Sequence, residues 1–406
     1  TVALFVQKFG GTSVGSIERI EAVADIIIRQ RQLGHQVVAV VSAMSGETNR
    51  LLALAQQVDS VPSSRELDVL VSTGEQVSAS LLAMVLIRKG YPAVSLLGDQ
   101  LGMLTDNLFT KARITQVNDK RIRQELRHGR IVIAAGFQGR DSEGNITTLG
   151  RGGSDTSAVA IAGAINADEC QIFTDVDGVY STDPRVEANA QRLNTIGVKA
   201  MLEMASMGAK VLHIRAVEAA VQYQVPLRVL SSFSPDQGTL VLTDEDESMQ
   251  PHNVSGIAFK REQALISING CDASPVLLAD MLDALAQKAI EVDVINQVFQ
   301  KSGKVDYAIS VPSLELHQAL AALTNMPVIS DAELNTRDDL AMLSLVGTGI
   351  KTNASIISQF FRVFADEQID VFIASSSEIK LSVLIERQYL ELAVRALHAT
   401  FIMADE

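Results

Sequence analysis

The chain has 406 residues, 47% hydrophobic and 20% charged, with 48 acids against 34 bases and a formal net charge of −14. At about 150 residues per domain this suggests two or three domains with cores of their own. The acidic balance argues against binding nucleic acid or an anionic membrane, which calls for a basic face, but leaves room for a local positive pocket. Two cysteines, Cys170 and Cys271, are too few for a disulfide framework and fit a reducing compartment. No apolar run reaches the ~18 residues of a membrane span. The opening residues 1–8 read as a strand, not a signal peptide. A soluble, cytoplasmic, multidomain protein is expected.

Residues 2–8 read as a buried strand, followed by the glycine-rich turn Phe9-Gly10-Gly11-Thr12-Ser13-Val14-Gly15-Ser16. Apolar residues at Ile17, Ile20, Val23, Ala24, Ile27 and Ile28 then keep a helical period. Residues 36–41 form an almost continuous apolar run, as in a parallel strand covered on both faces. The alternation continues with helix 65–88, strand 93–96, helix 119–128, strand 131–135, helix 154–166, strand 170–174, helix 199–223 and strand 227–230. That pattern predicts an α/β domain over 1–231 with a mostly parallel sheet.

From Ser231-Ser232-Phe233-Ser234-Pro235-Asp236 the texture changes, and the acidic run Asp244-Glu245-Asp246-Glu247 follows. Residues 232–254 read as a linker with one short strand-like stretch, 239–242. Beyond it, residues 264–270 resemble 341–347, and 292–294 resemble 369–371, at one common offset. Residues 255–406 therefore read as two copies of a small βαβ-type module, about 260–335 and 338–406. Duplicated modules without an obvious nucleophile suggest sensing or assembly.

Phosphate handling is the clearest chemical theme. Lys8 stands at a strand end immediately before Gly10-Gly11, where backbone N–H groups and a helix N-terminus favour an anion. Such a lysine either supplies charge to a transferring phosphoryl group or faces solvent beside a tight turn. A second glycine loop, Gly150-Arg151-Gly152-Gly153-Ser154-Asp155-Thr156, precedes another helix. An N-cap explains Ser154 or Asp155, but not an arginine among three glycines, which suits a bidentate grip on a carboxylate. The segment 173–185 leaves a strand end, where open α/β sheets place ligands; its aspartates lack calcium-loop spacing. Glu75 reads as a first-turn acid at a loop-to-helix junction, and Lys210 and His213 as face residues of the long helix 199–223.

Taken together, Val6-Gln7-Lys8-Phe9-Gly10-Gly11-Thr12-Ser13-Val14, Val41-Ser42-Ala43-Met44, Ser72-Thr73-Gly74-Glu75, Gly136-Phe137-Gln138-Gly139, the Leu149-to-Thr156 loop and the Thr174-to-Arg185 segment resemble, in order, the motifs of aspartate kinases. The resemblance runs through the whole chain. It implies an amino-acid kinase fold followed by tandem ACT modules, and transfer of the γ-phosphoryl of Mg·ATP to L-aspartate, feeding lysine, threonine and methionine biosynthesis. It implies catalytic roles for Lys8 and Asp155. An ATP site is implied at Lys8, Phe9, Gly10, Gly11, Ser42, Ser154, Thr174, Asp175, Tyr180, Asp183, Arg185, Lys210 and Val211. An aspartate site is implied at Thr48, Glu75, Arg151, Gly152, Gly153 and Ser154. Mg²⁺ would be carried by ATP, with no direct protein ligand, and a homodimer or higher oligomer would form through the ACT modules. The alternatives are another carboxylate kinase of this fold and a weak ACT-domain sensor.

The resemblance also implies a lysine or threonine effector site at Asp272, Pro275, Asp293, Gln297, Asn353, Ala354, Asp370, Val371, Ser377 and Glu378. The ACT loops depart from the family pattern. Gly270-Cys271-Asp272-Ala273-Ser274-Pro275-Val276 lacks its closing glycine, Lys304-Val305-Asp306-Tyr307 lacks two threonines, and Thr352-Asn353-Ala354-Ser355 replaces a Ser-His-x-Gly-like turn. Weakened or re-targeted feedback is the expectation.

Overall fold

The computed structural model describes residues 2–207, 211–242, 254–326, 329 and 332–403. The chain separates into two compact units: residues 1–180, Arg192–Ser206 and Lys210–Pro251 form one, and Ser181–Gln191, Met207–Ala209 and His252–Glu406 the other.

The first unit runs β1 (Leu4–Phe9), α1 (Ile17–Gln32), β2 (Gln36–Val41), α2 (Glu47–Val58), α3 (Ser64–Arg88), β3 (Ala93–Leu96), β4 (Met103–Thr105), β5 (Ile114–Val117), α4 (Lys120–Arg127) and β6 (Ile131–Ala135). It continues β7 (Gln138–Arg140), β8 (Ile146–Thr148), α5 (Gly153–Ile165), β9 (Glu169–Thr174), β10 (Thr195–Gly197), α6 (Val198–Ser206), α7 (Ile214–Tyr223), β11 (Leu227–Ser231) and β12 (Thr239–Leu242). Its main sheet has the order β10-β12-β11-β9-β1-β2-β6-β3 and is parallel except where β12 runs against β11. The winding therefore reverses at β1, between β2 and β9. Open α/β sheets bind ligands beyond the carboxyl ends of their strands at such a switch point. Lys8 and Gly10-Gly11 stand there, and the apolar core beneath includes Phe9, Ile20, Ile27, Val41, Leu82 and Phe173.

A second, small sheet, β5-β4-β7-β8, was not evident in the sequence, because strands of three or four residues are too short to show an alternating pattern. The expected helix 199–223 is two helices, α6 and α7, with His213 capping the second. Of the stretch read as a linker, residues 239–242 form β12 in the main sheet, and 243–253 lie outside the described residues. By length and composition α3 is apolar enough to cross a membrane, yet more than half of that stretch is buried within the protein. Its buried face carries Val71, Gly74, Ala79, Leu82 and Leu86 together with Asp68 and Glu75, so it is a core helix.

The second unit runs β13 (Val254–Asp272), α8 (Pro275–Gln287), β14 (Val294–Phe299), β15 (Lys304–Pro312), α9 (Leu316–Thr324), β16 (Glu333–Gly347), α10 (Ala354–Asp366), β17 (Val371–Ser376), β18 (Lys380–Glu386) and α11 (Leu390–Phe401). All its strands join one sheet, β14-β15-β13-β16-β18-β17. Two cores lie on it. One gathers Ile266, Met281, Tyr307, Val311 and Leu323; the other gathers Leu343, Phe360, Phe364, Leu384's neighbour Val383 and Leu397. Ile257, from the start of β13, packs in the second of these cores. The long strands β13 and β16 thus serve both modules, and the first copy is nested within the second. Val186, from the segment Ser181–Gln191, also joins that second core.

Candidate active site

Lys8 lies next to the carboxyl end of β1, and its Nζ sits 2.6 Å from Asp155 Oδ1, with both side chains nearly buried. Asp155 occupies the first turn of α5, where the helix dipole favours an acid. This contact joins the two glycine loops at one point. Gly152, which precedes α5, has φ +70°, and a Cβ there would come within 2.2 Å of the His213 ring. Only glycine meets both demands.

Glu75 is not at a helix start. It lies well inside α3, turned inward and 3% exposed. Gly74 is what makes this possible: a Cβ on it would sit 2.7 Å from Ala43 Cβ, so the helix can approach the end of β2 closely only without one. Ala43 N–H donates to Glu75 Oε1 (3.1 Å), while Oε2 is buried without a hydrogen-bond partner among the described residues. Burial pushes the Glu75 carboxyl up to about 7. A buried acid with an unpartnered oxygen is a candidate partner for a cation.

One cavity of about 630 Å³ brings the two features together. Lys8, Gly11, Ser42, Thr48, Glu75 and the run Arg151-Gly152-Gly153-Ser154-Asp155 all line it. Thr48 arrives on the first turn of α2, a helix the sequence reading left unassigned. The expected nucleotide residues divide. Phe9 is wholly buried and stacks on Phe173 at 4.8 Å, and Gly10 N–H donates to Phe173 O; neither lines the cavity. Thr174 ends β9, the strand beside β1, and Asp175 follows it, with Thr174 Oγ1 donating to Asp175 Oδ1 (3.0 Å). Tyr180 OH donates to Asp177 Oδ1 (3.0 Å). Asp183 and Arg185 belong to the second unit and form an ion pair with each other at 2.7 Å, while Val211 opens the stretch before α7 and Lys210 lies outside the described residues.

Among the expected effector residues, Asp293 pairs with Lys260 (2.6 Å), leaving Oδ2 buried without a hydrogen-bond partner among the described residues. Asp272 pairs with Lys304 at the surface, Pro275 begins α8, and Asn353 caps α10, accepting from Ser355 N–H just beyond Ala354. Gln297 is on β14, and Asp370 and Val371 stand at the start of β17. Ser377 N–H donates to Lys380 O next to Glu378, and Ser377 Oγ is buried without a hydrogen-bond partner among the described residues.

Comparison with known proteins decides what this arrangement belongs to. The amino acid kinase family matches residues 3–231, and the ACT domain matches residues 343–401. The aspartate kinase Ask_LysC of Stutzerimonas stutzeri is 52% identical over 405 residues, covering 98% of this chain and 97% of that relative. The aspartokinase of Pseudomonas aeruginosa is 52% identical over 402 residues, covering 98% of each. The chain belongs to the aspartate kinases. It is an ATP-dependent phosphotransferase of the amino acid kinase fold, with C-terminal ACT modules. The crystal structure of E. coli aspartokinase III in complex with aspartate and ADP (R-state) superposes with a TM-score of 0.79 at 26% identity, covering 98% of this chain and 99% of that one. The same enzyme with lysine and aspartate (T-state) gives 0.78 at 27% identity, with the same coverage.

For an aspartate kinase the cavity also holds residues that the motifs did not single out. Asp68, Thr110 and Thr148 line it as well. The signal for Asp68 was its spacing: seven residues before Glu75, it shares that helix face.

Proposed function

We propose that this cavity carries out transfer of the γ-phosphoryl of ATP to the side-chain carboxylate of L-aspartate, giving 4-phospho-L-aspartate and ADP. A carboxylate oxygen forms the new bond to the γ-phosphorus as the bond to the ADP oxygen breaks. The acceptor, with pKa near 3.9, is already ionised at neutral pH and needs no general base. The obstacle is anion meeting anion. Lys8, held by Asp155 between two glycine loops, supplies positive charge at that meeting point, together with the N-terminus of α5. Glu75 takes the substrate ammonium on its free Oε2, and Arg151, exposed and lining the cavity, takes the α-carboxylate. Thr48 and Gly152-Gly153-Ser154 complete the aspartate side. Ser42, Gly10-Gly11 and the Thr174-Asp175 strand end serve the nucleotide side, to which we also assign Tyr180, Asp183, Arg185, Lys210 and Val211. The observation that carries this reading is the Lys8–Asp155 pair in one cavity with the buried Glu75, whose Oε2 has no hydrogen-bond partner among the described residues.

Mg²⁺ fits this donor set as a companion of the nucleotide. Among the described residues no group of three His, Cys, Asp or Glu side chains could hold a metal. Magnesium commonly binds substrate phosphates and keeps waters instead of taking an all-protein cage, so it would arrive on ATP at the end where Asp155 holds Lys8. Bound there it would neutralise phosphate charge.

The divergent ACT loops support weakened or re-targeted inhibition by lysine and threonine. A homodimer through the ACT modules is part of the same reading, and the sheet-edge strand β14 exposes Ile295, Val298 and Phe299. Two free buried cysteines accord with a cytosolic location. The test is hydroxylamine trapping with Mg·ATP and L-aspartate, alone and with lysine, threonine or both. Aspartyl hydroxamate formed despite the effectors supports both the kinase and the lost brake. Activity that collapses with effector keeps the kinase and refutes the lost brake. No hydroxamate under any condition defeats the substrate assignment.

A further inference from the structure

Asp68 has no exposed surface, although it lies on the cavity wall. Among the described residues no cation pairs with its carboxylate; backbone and hydroxyl donors satisfy it instead. Thr148 Oγ1 donates to Oδ1 (2.6 Å) and Thr148 N–H to Oδ2 (2.9 Å), while Thr110 N–H is shared between Oδ1 (3.0 Å) and Oδ2 (2.9 Å). These donors come from two separate segments. Thr148 ends β8 and leads directly into Leu149-Gly150-Arg151. Thr110 belongs to the loop between β4 and β5 and has φ +67°, a left-handed conformation costly for a β-branched residue. Ala112 N–H donates to Thr148 O (2.9 Å), closing the link between the segments.

Hydrogen bonds to a buried carboxylate are among the stronger ones in a protein, and they are directional. Here they hold one loop in a strained backbone state and fix the strand that delivers the arginine loop. We propose that Asp68 is a positioning residue for aspartate recognition, acting through Thr110 and Thr148 on the wall that carries Arg151. The inference rests on the assignment of Arg151 and Glu75 to the aspartate side. It predicts that Asp68 governs affinity for the amino acid more than for the nucleotide, because Thr148 leads into the Arg151 loop and Thr110 O packs against Gly150, the residue before Arg151.

Steady-state kinetics of Asp68→Asn test this. The amide replaces one acceptor by a donor that faces N–H groups. The KM for aspartate should rise roughly 10- to 100-fold, the loss expected for hydrogen bonds to a charged group, with the KM for ATP changed less than about twofold. Thr110→Gly reaches positive φ without support, so adding it to Asp68→Asn should recover part of that loss. Thr148→Val removes only the hydroxyl donor and should show the same split, which keeps the test available if Asp68→Asn does not fold. An unchanged aspartate KM in folded variants, or aspartate and ATP constants that worsen together, would overturn the proposal. Glu75→Gln and Arg151→Ala run alongside: if these too leave the aspartate KM unmoved, the site assignment has failed, whereas movement in these alone refutes only the role of Asp68.

Discussion

The catalytic unit buries its important acids. Asp68 is fully enclosed, Glu75 nearly so, and Asp155 is pressed against Lys8. In the ACT unit several acids stay near the surface in ion pairs, such as Asp272 with Lys304, whose side chains are 87% and 45% exposed, and Asp339 with Arg337. Burying a charge costs free energy unless it is well paired, whereas exposed pairs contribute little either way. Burial alone does not mark a working acid, since Glu125 is buried between Arg121 and Arg130 away from the cavity; Asp68 and Glu75 are buried on the cavity wall with no ion pair to a cation among the described residues. Asp293 is the intermediate case: 12% exposed, paired with Lys260, and left with an unpartnered buried oxygen.

Substitutions can break this contrast. The largest effect is expected from Lys8→Ala, with kcat falling about 10³-fold, as when a donor to the reacting charge is removed, while circular dichroism shows a folded protein. A near-normal rate would remove Lys8 from the mechanism. Next comes Glu75→Gln, which should weaken aspartate binding roughly 10- to 100-fold and also stabilise the ligand-free protein. The folded Glu75 carboxyl titrates near 7, above its ordinary 4.5, so the folded state holds that proton more tightly than the unfolded chain does. Stability from this group is complete below pH 4.5 and is lost as the pH rises through 7. The glutamine variant escapes that loss, and at pH 8 should gain on the order of 1–3 kcal/mol in urea denaturation.

Smaller effects sharpen the contrast within the ACT unit. Asp293→Asn should cost on the order of 1–3 kcal/mol, because Lys260 loses its nearest charged partner in a mostly buried setting. Lys304→Ala should change stability by less than about 0.5 kcal/mol, since its pair with Asp272 is exposed. Comparable losses for these two variants, measured by denaturant titration, would show that burial is not the deciding variable.

The same physics explains what could be read from the sequence. Strands β2 and β6 are legible because central parallel strands are covered on both faces and become continuous apolar runs. The two glycine loops are legible because close backbone approach leaves a compositional trace, borne out at Gly152 by the His213 ring. Glu75 was misplaced because Ser72-Thr73-Gly74 imitates a turn, whereas Gly74 is there for helix packing against Ala43. Helices α6 and α7 merged into one because apolar spacing carries on across the break at His213. The nesting of the ACT modules left no trace, since a 19-residue strand serving two cores reads like any strand. Asp68 stayed hidden because a lone helical aspartate reads as solvated until its donors, Thr110 and Thr148, are placed in space.

The most direct test of the buried-acid account is the pH dependence of kcat/KM for aspartate in the wild type and in Glu75→Gln. Glu75 must be ionised to receive the ammonium, so the wild-type value should climb with an apparent pKa near 7 and level off above it. The glutamine variant should lie far below and lack that rise. A wild-type profile flat between pH 6 and 8, or the same rise in the variant, would contradict the account.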